Sequence, residues 1–271
     1  MAGKAKVDPR RMSPEKYRAY QQRVKKVKRN RRILALSVFA FVMIITVGIL
    51  SLTVLFKADT INVNGQSIYK PEQIIEASDI KLQQNLFRIG KKYATEAIPQ
   101  KLPYISSAEI SIKLPSTVNI TVKPTAASCY FVSSNGCMLC DSSTKVLAAV
   151  SADKVPKNIA KLVTKSPITG ETAGNFTCSD ENETELIKTI FESIEKSGIK
   201  DITLIDITEP STIKMTYQNR FRLNIGTKSR LTYKLSSAVE IIKKEDQVST
   251  LTSGEIFLSK PGSAYVTPDK T

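Results

Sequence analysis

The chain has 271 residues, 41% of them apolar, and carries 40 Lys and Arg against 25 Asp and Glu for a formal charge of +15. It contains no histidine, which removes the commonest general base at neutral pH, the Ser-His-Asp and Cys-His nucleophile systems, and the usual zinc and iron ligand sets. The 11 glycines are scattered and no glycine-rich loop follows a strand, so phosphate chemistry has no visible cradle.

The first 32 residues hold 13 Lys or Arg against Asp8 and Glu15, which places +11 of the charge there and leaves only +4 for the rest. Residues Ile33 to Phe56 follow without a single charge. As a helix this stretch reaches about 36 Å, enough to cross a hydrocarbon core of roughly 30 Å with some tilt. Lys25, Lys26, Lys28, Arg29, Arg31 and Arg32 crowd its N-terminal edge, so the positive-inside rule predicts a cytoplasmic N-terminus and a translocated segment from residue 57. A cleaved secretory signal is the competing reading, but the apolar run is too long and no small-x-small cleavage site follows it. Juxtamembrane cations attract anionic lipid, so the basicity needs no nucleic-acid partner. Ser13-Pro14-Glu15 is a plausible helix start, and Tyr17, Tyr20, Val24 and Val27 recur at helical spacing, consistent with a basic amphipathic helix; a solvated tail is the alternative.

Beyond the span, Ile61-Asn62-Val63-Asn64-Gly65 reads as an alternating strand stopped by a turn, and Pro71 opens a helix containing Ile74, Ile75 and Ala77. A second helical stretch runs from about Leu86 to Leu102 and stops at Pro103. Ile105, Ala108, Ile110 and Ile112 then lead to the turn Leu114-Pro115-Ser116-Thr117, and Val118, Ile120 and Val122 alternate back. The expected order is strand, helix, helix, strand, strand over residues 57–123.

From Pro124 a longer sheet is expected, filling 124–265 and leaving 266–271 as a tail. Ser128–Val132 and Cys137–Cys140 suggest a hairpin, with Asn135-Gly136 as its two-residue turn, and Lys145–Val150 a third strand. That turn sets Cys140 opposite Phe131 and only diagonal to Cys129. Lys154 to Asn175 reads as irregular chain. Asp180 with Glu183 resembles a capping box, and Leu186, Ile187, Ile190, Phe191 and Ile194 form one helix face. Ile202–Ile207, Ile213–Tyr217 and Phe221–Ile225 form an antiparallel meander, a helix spans about Ser229–Lys244, and Glu255–Ser259 is the closing strand. The fold class is α+β, with helices on one face of a mostly antiparallel sheet.

The chemistry-bearing candidates are few. Cys137-Met138-Leu139-Cys140, with Cys129 and Cys178, could be a structural disulfide or buried thiols, half a four-thiolate metal site, or a redox pair. The last needs its first thiol at a helix N-terminus, whereas this one follows a turn into a strand. A Ser-Lys peptidase needs no histidine, but the lysines sit in polar, exposed-looking contexts. Asn119, Asn175 and Asn182 each begin an Asn-x-Ser/Thr triplet, as in a glycosylated type II membrane protein, although Asn119 falls inside a strand.

Four segments together carry a resemblance: Ile61-x-Val63-x-Gly65, Asn85-Leu86-Phe87, Leu102-Pro103-Tyr104-Ile105-x-x-Ala108-x-Ile110, and Leu114-Pro115-Ser116-Thr117-Val118-x-Ile120-x-Val122. They resemble a POTRA domain. Behind one membrane span and a basic tail, and with Phe221-Arg222-Leu223-Asn224-Ile225-Gly226 before the last helix, the chain is similar to the bacterial cell-division family FtsQ or DivIB. Family members often have an acid and an arginine in the final strand, where this chain has Phe257 and Ser259. A closing strand near an open terminus exposes unpaired N–H and C=O groups that can recruit another chain by strand addition. The resemblance implies a noncatalytic septal scaffold without cofactors or metal. It also implies that the edge and the segment after it, Ile256, Leu258, Ser259, Lys260, Gly262, Ser263, Ala264 and Tyr265, receive a strand from the coiled-coil partners FtsL and DivIC or FtsB. Another POTRA-bearing membrane protein of secretion or assembly is the second reading.

Overall fold

A computed structural model describes residues 13–134, 136–209, 211–248, 252–259 and 264–268. Helix α1 runs unbroken over Pro14–Leu55, with Pro14 in its first turn, where a missing N–H costs nothing. The basic flank and the apolar span are therefore one helix. At 1.5 Å per residue its 42 residues extend about 63 Å, so several turns project beyond any bilayer it crosses. The window Arg23–Gly48 is apolar enough to span and buries nothing against the rest of the protein. Ile33, Leu34, Phe39, Phe41 and Ile44 all stand exposed, a continuous surface that only lipid or another apolar helix can cover.

The first folded unit contains β1 (Thr60–Asn64), α2 (Pro71–Ser78), α3 (Lys91–Lys101), β2 (Ile105–Lys113) and β3 (Thr117–Pro124). β3 is central, parallel to β1 and antiparallel to β2. Its alternation puts Val118, Ile120 and Val122 inward onto Ile74, Ala94 and Ile98 of the two helices. Gly65 ends β1 at φ +106°, and a Cβ there would collide with the carbonyl oxygen of Val122. The stretch expected as one helix from Leu86 is a 3-10 turn, Leu86–Arg88, followed by α3. Asn85 caps that turn by accepting from Phe87 N at 2.9 Å.

The second unit is a nine-stranded sheet ordered β14-β13-β12-β11-β10-β7-β4-β5-β6. Its strands are β4 (Cys129–Ser133), β5 (Gly136–Cys140), β6 (Val146–Val150), β7 (Ala160–Thr164), β10 (Ile202–Glu209), β11 (Thr212–Tyr217), β12 (Phe221–Gly226), β13 (Gly254–Phe257) and β14 (Tyr265–Pro268). β8 (Ile168–Thr169) and β9 (Thr177–Cys178) pair separately. Helices α4 (Glu181–Ser197) and α5 (Leu231–Val248) share one core with the sheet through Ile187, Ile190, Phe191, Leu235, Ala238 and Ile242.

Several expectations are corrected. Ser133 pairs with Gly136, so the hairpin turns one residue earlier than expected and Cys129 lies directly opposite Cys140; Asn135 itself is outside the described residues. The stretch expected to be irregular contains β7, a central strand parallel to both β4 and β10. Glu183 does not close a capping box: Asp180 accepts from Asn182 N at 2.9 Å, while the Glu183 carboxylate accepts from Ser166 N at 3.1 Å. The closing strand is not Glu255–Ser259, because β14 continues the sheet through Tyr265 and on into 266–268, the stretch expected to be tail.

Candidate partner interface

β12 begins at Phe221, in the core, and ends at Gly226, where the chain turns with φ at +71° and a Cβ would lie 3.0 Å from that of Ser259. The Lys234 ammonium on α5 holds this turn by donating to the carbonyls of Ile225 and Thr227, both at 2.9 Å. Burial pushes its pKa down. β13 then returns parallel to β12, with Leu223 opposite Ile256 and Leu258 N donating to Asn224 O at 2.8 Å. The Arg220 guanidinium bonds Asp246 at 3.1 Å and Thr252 O at 3.2 Å, tying the end of α5 to the approach to β13.

On its other side β13 pairs antiparallel with β14, setting Ile256 opposite Val266 and Phe257 opposite Tyr265, whose rings stack at 4.9 Å and 15°. The expected edge at β13 is therefore overturned. Both flanks of the strand are occupied, and Ile256 (0% exposed) and Leu258 are core residues. Freeing either side chain from the core would cost about 2 kcal/mol. Ser259 is exposed beside Gly226, Ala264 and Tyr265 are exposed, and Lys260, Gly262 and Ser263 lie outside the described residues. The outermost strand is β14, whose signal is weak: four residues, of which only Tyr265, Val266 and Thr267 favour a strand, before Pro268.

The sheet's opposite end is partly covered at its start. Val146 N donates to Gly174 O and Ala173 N to Val146 O, both at 2.8 Å, so the 173–175 loop covers the start of β6. Next to it lies a junction that sequence reasoning missed. Asp141, buried, accepts from Lys145 N, from Ser143 N and Oγ, and from Thr125 Oγ1, all within 3.0 Å. The Lys145 side chain reaches into the first unit and donates to Pro99 O at 2.8 Å and Ile105 O at 2.7 Å. Burial lowers its pKa, against the opposing pull of Asp141. Lys145 and Lys234 thus correct the expectation that the lysines are exposed, and both ammonium groups bond backbone carbonyls.

The thiols are all buried and unbridged. The hydrogen bond with Cys140, then burial, pushes the Cys129 thiol well up, and burial raises Cys178. Raised thiols are poor nucleophiles. Cys137 lies on the opposite face of β5 from Cys140, and among the described residues no acid or cysteine cluster could hold a metal ion. Of the basic flank, Lys25, Lys26, Lys28, Arg29, Arg31 and Arg32 are all exposed on α1.

An apolar N-terminal helix leading straight into a β-α-α-β-β unit and then a large sheet defines a membrane-anchored POTRA protein. The family model for the FtsQ-type POTRA domain matches residues 56–123. The cell division protein DivIB of Clostridium acetobutylicum is 31% identical over 188 residues, covering 69% of this chain and 74% of that protein. DivIB of Clostridium botulinum strain Hall is 27% identical over 251 residues, 88% of this chain and 91% of its own. FtsQ of Corynebacterium glutamicum is 26% identical over 118 residues, covering 43% and 53%. The chain belongs to the FtsQ/DivIB family of cell-division proteins.

Proposed function

We propose that this division protein is a noncatalytic septal scaffold whose nine-stranded sheet receives a strand from FtsL and from a DivIC or FtsB-type partner along β14. The N-terminus is cytoplasmic and residues from 57 onward are extracytoplasmic, as the charge asymmetry around α1 argues. The observation that carries the reading is the asymmetry of the sheet: the start of β6 is bonded to the 173–175 loop of its own chain, while among the described residues no strand lies beyond β14, whose Tyr265, Thr267 and Pro268 are exposed. An outer strand with free backbone groups gives affinity through main-chain bonds, with little demand on side chains. Pro268 donates no N–H and limits how far an incoming strand can pair, as edge prolines do.

The test is co-elution of the full chain, in detergent, with the partners' coiled-coil ectodomains. Removing residues 265–271 takes away β14 but keeps Ile256 and Leu258 in place, so it should abolish capture and leave a cooperative thermal transition. Undiminished capture by this truncation defeats the reading.

A further inference from the structure

The POTRA unit follows α1 with no linker. The helix ends at Leu55, and the next residues are already gripped by two loops. Phe56 O accepts from Leu86 N at 2.9 Å, Ala58 exchanges bonds with Gln83 and Gln84 at 2.8 and 2.9 Å, and Asp59 N donates to Ser116 O at 2.9 Å. Ala58 is fully buried. Three residues of extended chain span about 10 Å, so the loops at 81–88 and 114–116 lie at the level where the chain leaves the apolar span. They are not polar at that level. Phe87 is 61% exposed with its ring edge-on to Phe56 at 5.3 Å, and Leu114 is 55% exposed. Together with Ile112 and Ile89 they line a groove of about 400 Å³. Over residues 56–60, 81–92 and 112–116 the chain carries Lys57, Lys81, Arg88, Lys91, Lys92 and Lys113 against one acid, Asp59, whose carboxylate accepts from Gln83 Nε2 at 2.8 Å.

We propose that this base of the POTRA unit is a second membrane contact: Phe87 and Leu114 insert at the interface of the leaflet that α1 leaves, and the surrounding cations hold anionic lipid headgroups. Two arguments select a bilayer as the occupant. The patch is continuous with the helix that anchors the chain, and an apolar tip ringed by cations is the complement of an anionic interface. The contact fixes the tilt of the ectodomain on the membrane, which a single helix joined by a flexible linker would leave free. The inference rests on α1 being the anchor.

The chain has no tryptophan, so a single Phe87→Trp or Leu114→Trp supplies the only indole. Each full-length variant is reconstituted into phosphatidylcholine–phosphatidylglycerol vesicles with bromine on shallow acyl positions, and Val132→Trp, exposed on the β4–β5 hairpin, is the distant control. The expected result is blue-shifted emission that loses most of its intensity to bromine at 87 and 114, unquenched emission at 132, and weaker quenching at 87 and 114 without phosphatidylglycerol. Emission at both 87 and 114 matching that at 132 overturns the proposal. So does a blue shift without quenching, which would give the groove to a protein or a second copy, and so does quenching indifferent to lipid charge. Chain that fails to float with the vesicles defeats the anchor itself, and this contact with it.

Discussion

At β6 the 173–175 loop covers the start of the strand, Asp141 gathers four donors, and Lys145 crosses to two carbonyls of the POTRA unit. At β14 the sheet ends in four residues with one aromatic stack on Phe257. The near end uses buried polar groups to link the two units, and the far end, among the described residues, has no strand beyond β14. Buried, hydrogen-bonded polar groups specify geometry, although Thr144 Oγ1 in the same turn is buried without a partner, whereas a thin outer strand specifies almost nothing until it is paired. This difference predicts where substitutions hurt folding and where they hurt association.

The largest effect on stability is expected at Asp141. Asp141→Ala leaves the amides of Ser143 and Lys145 and the Thr125 hydroxyl without their acceptor in a buried site, and removes the negative charge that acts on Lys145. The cost is on the order of 3 kcal/mol. A drop in the thermal midpoint of the full chain checks it, and an unchanged midpoint breaks the claim that this end is the rigid one. Lys145→Met should cost less, about 2 kcal/mol, because it orphans two carbonyls but also removes a buried charge. Its signature is separation: the POTRA unit and the nine-stranded sheet should then unfold in two steps, with faster amide exchange at the C-terminal end of α3. A single unshifted transition would mean that Lys145 does not couple the units.

Much of this architecture is legible in the sequence because its signals are local. The 24-residue uncharged run, the alternation of Val118, Ile120 and Val122, and the apolar face of α4 each follow from periodicity alone. What escaped depends on long-range partners. β7 is short, lies between prolines, and is stabilised by β4 and β10, which are about 30 and 45 residues away in sequence. The register of β4 and β5 hinges on which two residues turn, and a one-residue error moved Cys140 away from Cys129. Lys145 looks like any turn lysine until the POTRA carbonyls it meets are known. The expectation that β13 is the outer edge missed β14 for the same reason: β14 adds a partner to β13 that no local pattern announces.

A smaller and pH-dependent effect belongs to the sheet's interior between the two ends. The Cys129 thiol has its pKa raised by its bond with Cys140 and by burial, so the folded protein keeps a proton that the unfolded chain releases near 9.0. The folded state then binds more protons, and stability falls as pH rises above the unfolded value. Urea midpoints taken from about pH 8 to about pH 10 should decline in the wild type and decline less in Cys129→Ala, once the cost of the deletion is subtracted. Equal slopes would show that Cys129 does not set this dependence.

The smallest stability effect, and the sharpest division between the two ends, is expected for Thr267→Asp. Thr267 is exposed on β14 opposite Glu255, so the new carboxylate adds a like charge across the pair without touching the core. Folding should change by no more than about 0.5 kcal/mol. An incoming strand, however, would have to lie along this charge while its own backbone is desolvated, so capture of an acidic or neutral partner strand should weaken well beyond the stability change. Thr267→Lys reverses the sign and should restore or strengthen capture of an acidic strand. If both substitutions leave capture untouched while Asp141→Ala alone abolishes it, the partner is reading the rigid end of the molecule, and the open edge at β14 is only where the sheet stops.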